Sequence, residues 1–302
     1  MTTSEALTYE KIYFSLWETA QRYGRFAQFR VIGKSHDDRL IPMLEIGSGH
    51  TVIFCVAGVT GRDRQMPDFL QQMAVEYCQA YECGWLLEEF YDIRELLDKV
   101  RICFIPLLNP DGYEVCGRGY TVIHNPIYRQ MLRMQDIPYE EFGTNARGMD
   151  LRRNFPTNYY MRRRIHQEPA SENETKALIR IFQEYKSRGL LSFCQSEKKI
   201  VYYRQSQGFA FNQRSYRLAR HLQKRSSYRL EKTQAPEPSQ GRQRTRSTGT
   251  PEQFYAETIK QPSLMIETPS AVCDVSEQEQ RSKKDYQEIH LLPLEYIYSL
   301  DN

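Results

Sequence analysis

Residues 51–63 read Thr-Val-Ile-Phe-Cys-Val-Ala-Gly-Val-Thr-Gly-Arg-Asp, and they establish the class of fold. The first six form a continuous apolar run of strand length. Such a run predicts a strand that is buried on both faces, as in a sheet covered by helices on each side. The polar segment 57–63 follows directly, so Thr60 and Asp63 are expected where the chain leaves this strand.

Predicted strands and helices alternate on both sides of this run. The pattern of apolar residues predicts helices at residues 9–23, 67–81, 93–100, 171–188, 212–224 and 251–260. It predicts strands at residues 26–32, 43–46, 51–56, 102–107, 190–194, 199–203 and 263–266. The helix at 171–188 is expected to begin with a capping box at 171–174 and to end at Gly189. This alternation predicts an α/β protein with a mainly parallel or mixed sheet in one domain, residues 1–302.

Three segments lack this regular pattern. Residues 109–168 form a long stretch rich in Asn, Gly, Arg and Tyr, which predicts a functional loop. Within it, Asn109-Pro110-Asp111-Gly112 is a turn signature. Residues 225–248 predict an irregular basic loop, and residues 275–302 a tail that packs on the body. Ten Lys/Arg against two acids lie between 214 and 246, which fits either an anionic-ligand patch or a solvated surface.

Composition excludes several classes of partner. The net charge of +3 is too small to indicate a nucleic-acid partner. No run of 18 apolar residues is present, so no membrane span is expected. The first residues carry no secretory signal pattern, and the seven cysteines include no C-x-x-C pair. These features predict reduced cysteines and a cytoplasmic protein.

Four segments together resemble the zinc carboxypeptidases of the M14 family. They are residues 57–63, 107–114 (Leu-Leu-Asn-Pro-Asp-Gly-Tyr-Glu), 148–155 (Gly-Met-Asp-Leu-Arg-Arg-Asn-Phe) and 264–269 (Leu-Met-Ile-Glu-Thr-Pro). The resemblance covers about residues 9–270 and includes the bacterial branch that cleaves γ-D-glutamyl-diaminopimelate peptides of the cell wall. It implies a three-layer α/β/α fold around a mixed, mainly parallel sheet of about eight strands.

The resemblance places the family's three zinc ligands at Thr60, Asp63 and Gln195. A threonine hydroxyl and a glutamine amide are poor zinc donors compared with imidazole. Asp63 is one carbon shorter than the glutamate of the family. No bound metal is therefore expected, and zinc is the expected cofactor only if the family activity is retained. An alternative is a site rebuilt with His124 from the long loop.

Two residues resemble the catalytic groups of the family. Glu267 matches the general base that activates water. Arg147 resembles the arginine that polarises the scissile carbonyl, although ion pairing within an arginine-rich loop is the alternative explanation.

Four further residues match positions that hold the substrate. Arg153 matches the arginine that grips the terminal carboxylate, for which a planar guanidinium is well suited. Arg152 stands where the family usually has Asn, which makes the site more cationic, and Asn154 completes the motif. Glu252 lies where the family sets side-chain preference, so it favours a basic or amino-bearing side chain.

Three hypotheses follow. The first is a carboxypeptidase fold without zinc chemistry that binds a peptide or amino acid through its free C-terminal carboxylate. Cell-wall peptides are one possible ligand class. The second is an active zinc metallocarboxypeptidase with a non-standard ligand set. The third is an interaction protein that uses the basic segment 214–246.

Overall fold

The structure is a computed structural model that describes residues 7–158, 160, 168–204, 208–233, 249–269 and 275–300. Ten helices are described, α1 to α10 in chain order: Tyr9–Arg22, Met66–Cys83, Ile93–Lys99, Pro110–Arg118, Pro126–Arg133, Asn173–Glu184, Phe209–Lys224, Pro251–Phe254, Val275–Ile289 and Leu292–Tyr298. The strands in these ranges are β1 to β10: Ala27–Lys34, Leu40–Ile46, Thr51–Val56, Leu86–Leu87, Tyr91–Asp92, Val100–Ile105, Ser187–Ser196, Lys199–Tyr203, Arg229–Thr233 and Ser263–Pro269.

Eight of these strands form one central sheet in the order β1-β2-β6-β3-β7-β10-β8-β9. The pairs β6–β3, β3–β7, β7–β10 and β8–β9 are parallel, whereas β1–β2, β2–β6 and β10–β8 are antiparallel. The predicted fold class, a mixed and mainly parallel sheet of about eight strands, is confirmed. Strand β3 lies near the centre, and Ile53, Phe54 and Cys55 are fully buried.

Helices cover both faces of the sheet. On one face α1, α2, α7 and α10 contribute to a large apolar core, in which Leu16, Leu70, Leu222 and Leu294 are buried. On the other face α6 and α8 pack over a second core through residues such as Leu178 and Phe254. Because each face of β3 meets a layer of helices, its residues 52–56 are all apolar and buried.

The long segment 109–168 contains more regular structure than the sequence predicts. Helices α4 and α5 lie within it, and Asn109-Pro110-Asp111-Gly112 begins α4 rather than forming a free turn. The Asn109 side chain caps the helix by accepting a hydrogen bond from the Gly112 N–H at 3.0 Å. Asn followed by Pro suits a helix start as well as a turn, so the local sequence does not distinguish the two.

Helix α6 differs from its prediction at both ends. The predicted capping box is not formed, because Glu172 is the N-cap and the Ser171 hydroxyl donates to the Glu172 carboxylate at 2.7 Å. The helix ends at Glu184, and Gly189 lies inside strand β7 instead of stopping the helix. The Tyr296 ring explains this glycine, because a Cβ at position 189 would lie 2.1–2.4 Å from its atoms.

The C-terminal half of the chain completes the sheet and the core. Strand β9 lies inside the segment predicted as an irregular basic loop and pairs with β8, while residues 234–248 lie outside the described residues. Helix α10 packs into the larger core through its buried residues Leu292, Leu294, Tyr296 and Ile297.

Candidate functional site

A cleft of about 880 Å³ opens beside the carboxyl ends of β3, β7 and β10. In the sheet, β3 lies between β6, which is the next strand of this sheet in sequence, and β7. The connections from neighbouring strands therefore diverge here, which is where open α/β sheets form ligand sites. Among the predicted site residues, those that line the cleft are Thr60, Asp63, Arg152, Arg153, Gln195, Glu252 and Glu267.

The three positions where the resemblance places zinc ligands are engaged by the protein itself. Thr60 donates its hydroxyl to the Gly143 carbonyl at 3.0 Å. Asp63 Oδ1 accepts from the main-chain N–H of Gln195 at 3.0 Å. The Gln195 amide accepts from the Gln65 N–H at 3.0 Å and donates to the Gln65 side chain at 3.1 Å. A hydroxyl, a carboxylate and an amide oxygen in these bonds do not fit the imidazole and carboxylate donors that hold catalytic zinc.

Asp63 is buried, and burial raises the pKa of its carboxyl to about 6 despite the opposing charge of Arg152. Its Oδ2 atom has no hydrogen-bond partner among the described residues. Such an orphaned buried oxygen is unusual, because buried polar atoms nearly always have a partner.

Among the nearby charges, Arg152 lowers the pKa of the Asp63 carboxyl the most. The Cys194 thiol, Asp63 and Glu252 together hold the pKa of the Arg152 guanidinium above its ordinary value. Its Nη2 atom also contacts Met265 Sδ at 3.4 Å. Arg152 therefore supplies one positive charge to a part of the cleft that contains several acidic groups.

Glu252 and Glu267 line the same part of the cleft from α8 and β10. Glu252 is buried and accepts a hydrogen bond from the Ser192 hydroxyl. Glu267 lies opposite Cys194 in the β10–β7 register. Lys199 Nζ is 3.6 Å from Glu267 Oε2, and this oxygen has no hydrogen-bond partner among the described residues.

Arg153 lines the cleft from the short turn Leu151–Arg153. Its Nε lies 3.0 Å from Asp150 Oδ2, which orients the guanidinium. Gly249, with φ of 85°, packs against the Arg153 main chain, and a Cβ there would lie 3.0 Å from it. Asp150 thus holds the Arg153 side chain, and Gly249 packs against its main chain.

Arg147 and Asn154 are predicted site residues that the structure places outside the cleft lining. Arg147 Nη1 lies 3.3 Å from Glu172 Oε1. The buried Asn154 side chain donates to the Glu168 carbonyl at 3.0 Å and to the Ser171 hydroxyl at 2.9 Å. Both side chains therefore have partners away from Glu267. His124, the alternative ligand, also lies outside the lining, with Nδ1 3.3 Å from Asp37 Oδ2.

Arg62, Lys199 and Tyr203 line the cleft but were not predicted from sequence. Arg62 directly precedes Asp63, so its position in the same loop was a usable signal. Lys199 is brought to Glu267 by the antiparallel pairing of β8 with β10, in which these two residues are partners. Tyr203 shares a hydrogen bond with Thr250 at 3.2 Å. The pairing of β8 with β10 has no local sequence signal.

Outside the cleft, His36, Glu172 and Glu174 bring potential metal-ligand atoms within 4.8 Å of one another. Hydrogen bonds already occupy them, since Asn145 Nδ2 donates to Glu172 at 2.8 Å and to Glu174 at 3.3 Å. Burial would raise the pKa of Glu172, but donors including His36, Asn145 and Ser171 lower it to about 2. Burial, with Asp111 nearby, raises the pKa of Glu174 to about 7. This arrangement is a hydrogen-bonded network that joins Asn145 of the long segment to the start of α6.

Comparisons with known proteins agree with this fold. The model of the zinc carboxypeptidase (peptidase M14) family matches residues 12–281. Human carboxypeptidase Z is 28% identical over 159 residues, which are 49% of this chain and 21% of that protein. Rat carboxypeptidase D is 27% identical over 164 residues, 52% of this chain and 10% of that protein. The matched residues thus span only about a fifth of the length of the first relative and a tenth of the length of the second.

Solved structures share the fold at low identity. Thrombin activatable fibrinolysis inhibitor superposes with a TM-score of 0.72 at 16% identity, covering 97% of this chain and 73% of that one. Carboxypeptidase A from Helicoverpa armigera gives a TM-score of 0.67 at 16% identity, covering 100% and 76%.

The chain belongs to the zinc carboxypeptidase (peptidase M14) family, because the family model matches most of its length. None of the helices in the described ranges is long and apolar enough to cross a membrane.

Proposed function

We propose that this protein binds the free C-terminal carboxylate of a peptide or amino acid in the cleft and has little or no zinc-dependent hydrolysis. Arg153 accepts the carboxylate, with Arg152 beside it. The ligand class includes cell-wall peptides of the kind cleaved by the bacterial branch of the family. Glu267 has no metal-activated water to act on in this proposal.

One observation carries the proposal. The side chains of Thr60 and Gln195 and one oxygen of Asp63 are hydrogen-bonded to neighbouring protein groups, and the Arg152 charge acts on Asp63. A divalent cation would have to break these bonds and enter next to a guanidinium. Without the cation there is neither a Lewis acid nor a water of lowered pKa, so hydrolysis loses its main source of rate.

The first experiment measures carboxylate binding by calorimetry. An N-acetylated tripeptide with a free C-terminus is compared with the same tripeptide amidated at that end. We expect binding of the free acid only, and Arg153→Ala should weaken it by about tenfold or more, because a bidentate charge-assisted contact is lost. Arg22→Ala, an exposed arginine on α1, is the matched control. Equal binding of acid and amide would refute the proposal.

A second experiment addresses the active-enzyme hypothesis. Zinc is titrated into the chelator-treated protein, with Asp63→Ala alongside. We expect no binding up to high micromolar zinc in either protein. One-to-one binding that is lost in Asp63→Ala, together with tripeptide hydrolysis, would favour a metallocarboxypeptidase with a non-standard ligand set instead.

A further inference from the structure

Two carboxylate oxygens at the inner end of the cleft lack hydrogen-bond donors among the described residues. They are Asp63 Oδ2 and Glu267 Oε2, on residues that are 1% and 7% exposed. Leaving a charged group buried without its donors costs free energy that a folded protein normally avoids. Both residues line the cleft, so a ligand is a natural source of the missing donors.

The charges around these oxygens favour a positively charged donor. Asp63, Glu252 and Glu267 bring three carboxyl groups to the inner end. Arg152 is one cation among them, and Lys199 is shared between Glu267 and the exposed Glu197 and Glu231. Arg62 and Arg153 also line the cleft, and its whole lining contains six acidic and five basic residues, so the acidic groups outnumber the cations by one.

Arg152 and Asp63 influence each other without direct contact. Arg152 lowers the pKa of Asp63, and Asp63 raises the pKa of Arg152, yet no ion pair joins the two among the described residues. The inner end thus presents a separated cation and anion. An α-amino acid, whose carboxylate and ammonium are both attached to the α-carbon, supplies one group for each charge.

We propose that the inner end of the cleft binds the zwitterionic head group of an α-amino acid, whose α-ammonium donates to Asp63 and Glu267 while its carboxylate accepts from Arg152 and Arg153. The inference rests on the proposed function and specifies its ligand. An ammonium group has three donors, enough to serve both carboxylates. Both oxygens are buried in the structure, so binding in this proposal requires the Asp63 and Glu267 side chains to rotate toward the ligand.

This arrangement discriminates between a free amino acid and the last residue of a peptide. The α-nitrogen of a peptide residue is an uncharged amide with a single N–H. It cannot donate to both Asp63 and Glu267, and it leaves the excess of carboxylates unbalanced. The head-group site therefore selects ligands in which the amino group beside the carboxylate is free.

The test compares free and Nα-acetylated amino acids by calorimetry. L-leucine, L-lysine and L-glutamate are each paired with their Nα-acetyl derivatives, so that apolar, basic and acidic side chains are all sampled. For every side chain that binds, we expect the free form to bind at least about tenfold more tightly, which corresponds to one charge-assisted hydrogen bond. Acetylated forms that bind as tightly as the free forms would overturn the inference.

Two variants locate the effect. Asp63→Asn and Glu267→Gln keep the size of each side chain and remove its charge. Each should lower the ratio of free to acetylated affinity by about tenfold. Glu95→Gln, which removes an exposed carboxylate on α3 outside the cleft, is the control, and thermal unfolding verifies that all variants fold. An unchanged ratio of free to acetylated affinity in both cleft variants would contradict the assignment.

The outcomes separate this inference from the proposed function. If acetylated amino acids bind as well as free ones and Arg153→Ala abolishes both, carboxylate binding stands and the ammonium site is wrong. If neither form binds at millimolar concentration but the free-acid tripeptide does, carboxylate binding stands and the ammonium site is wrong. If the tripeptide fails to bind as well, both are wrong.

Discussion

At the scale of single residues, neighbouring carboxyl groups in this protein differ widely in pKa because they accept different numbers of hydrogen bonds. Glu172 and Glu174 are both fully buried and share Asn145. Glu172 accepts additional hydrogen bonds from Ser171 and Arg147, and its pKa falls to about 2. Glu174 has fewer donors, so burial, together with the charges of Asp111 and Glu172, raises its pKa to about 7. Donor number, rather than burial alone, sets the charge of each.

Glu174→Gln is expected to change how stability depends on pH. The folded protein binds the Glu174 proton more tightly than the unfolded chain does, so this carboxyl stabilises the fold at low pH. That contribution is lost as the pH rises from about 4.5 to about 7, and the shift corresponds to about 3 kcal/mol. Urea unfolding at pH 5 and pH 8 should therefore show that the free energy of unfolding of the variant increases relative to that of the wild type as the pH rises.

Other titrating groups, such as Asp63 and Asp68, also have pKa values raised to about 6. Their contributions to stability are the same in the variant and the wild type, so they cancel in the comparison. A free-energy difference between variant and wild type that stays constant from pH 5 to pH 8 would contradict the shifted pKa of Glu174.

At the scale of elements, the connection from β3 to α2 is held by close backbone contacts. A Cβ on Gly61 would lie 2.4 Å from the Gly112 carbonyl oxygen and 2.7 Å from that of Phe142. Gly61 also donates its N–H to the Gly143 carbonyl at 3.4 Å. The long segment 109–168 therefore positions Thr60 and Asp63 through main-chain contacts that leave no room for a side chain.

Gly61→Ala should displace this connection. We expect a loss of about 1–3 kcal/mol in the free energy of unfolding, because backbone atoms cannot rotate away as side chains do. Ligand affinity in the cleft should fall as well, since Asp63 moves with the loop. Urea unfolding and calorimetric titration measure the two effects.

Gly24→Ala is the control for a glycine at an exposed position after α1. A Cβ there meets only the Ala20 carbonyl oxygen, at 3.3 Å. Its loss of stability should be the smaller one, and its ligand affinity should match the wild type. If both glycine variants behave alike, the backbone contacts of Gly61 do not position the site.

At the scale of the whole molecule, the last described helix is part of the core. Tyr296 is fully buried, lies over Gly189 in β7 and donates its hydroxyl to the Arg188 carbonyl at 3.0 Å. The α10 segment thus covers the strand that leads to Gln195 in the cleft. Residues nearly 110 positions apart in sequence depend on each other here.

Tyr296→Ala should destabilise the protein by about 3–5 kcal/mol, because it removes a large buried aromatic side chain and leaves a cavity. Tyr298→Ala is the matched control on the same helix, since that side chain is 41% exposed, and it should cost less than about 1 kcal/mol. The midpoint of urea unfolding distinguishes the two. Equal losses would show that α10 contributes no more through its buried face than through its exposed one.

Sequence patterns located the part of the site that lies on single segments. The run Thr51–Val56 is the predicted central strand with unchanged bounds. Asp63 follows the buried strand β3 and Glu267 lies near the end of β10, and both line one cleft. Carboxyl ends of parallel strands meet at one edge of a sheet, so residues placed there by local patterns converge without further information.

Contacts between distant segments required the tertiary structure. Asn154 lies in the same motif as Arg153 and Arg147 directly precedes that motif, yet both side chains bind partners at or next to Glu172 instead of lining the cleft. Lys199 reaches Glu267 only through strand pairing, and Gly189 lies in a strand because Tyr296 packs on it.

The sequence by itself determined the α/β class and the central buried strand, because these depend on local patterns of apolar and polar residues. It also gave the order of the acidic and basic groups along the chain. Only the tertiary structure decided which of those groups share the cleft and which of them lack a donor. Hydrogen bonding and charge balance depend on distances of a few ångströms between segments far apart in sequence, and local patterns carry no information about those distances.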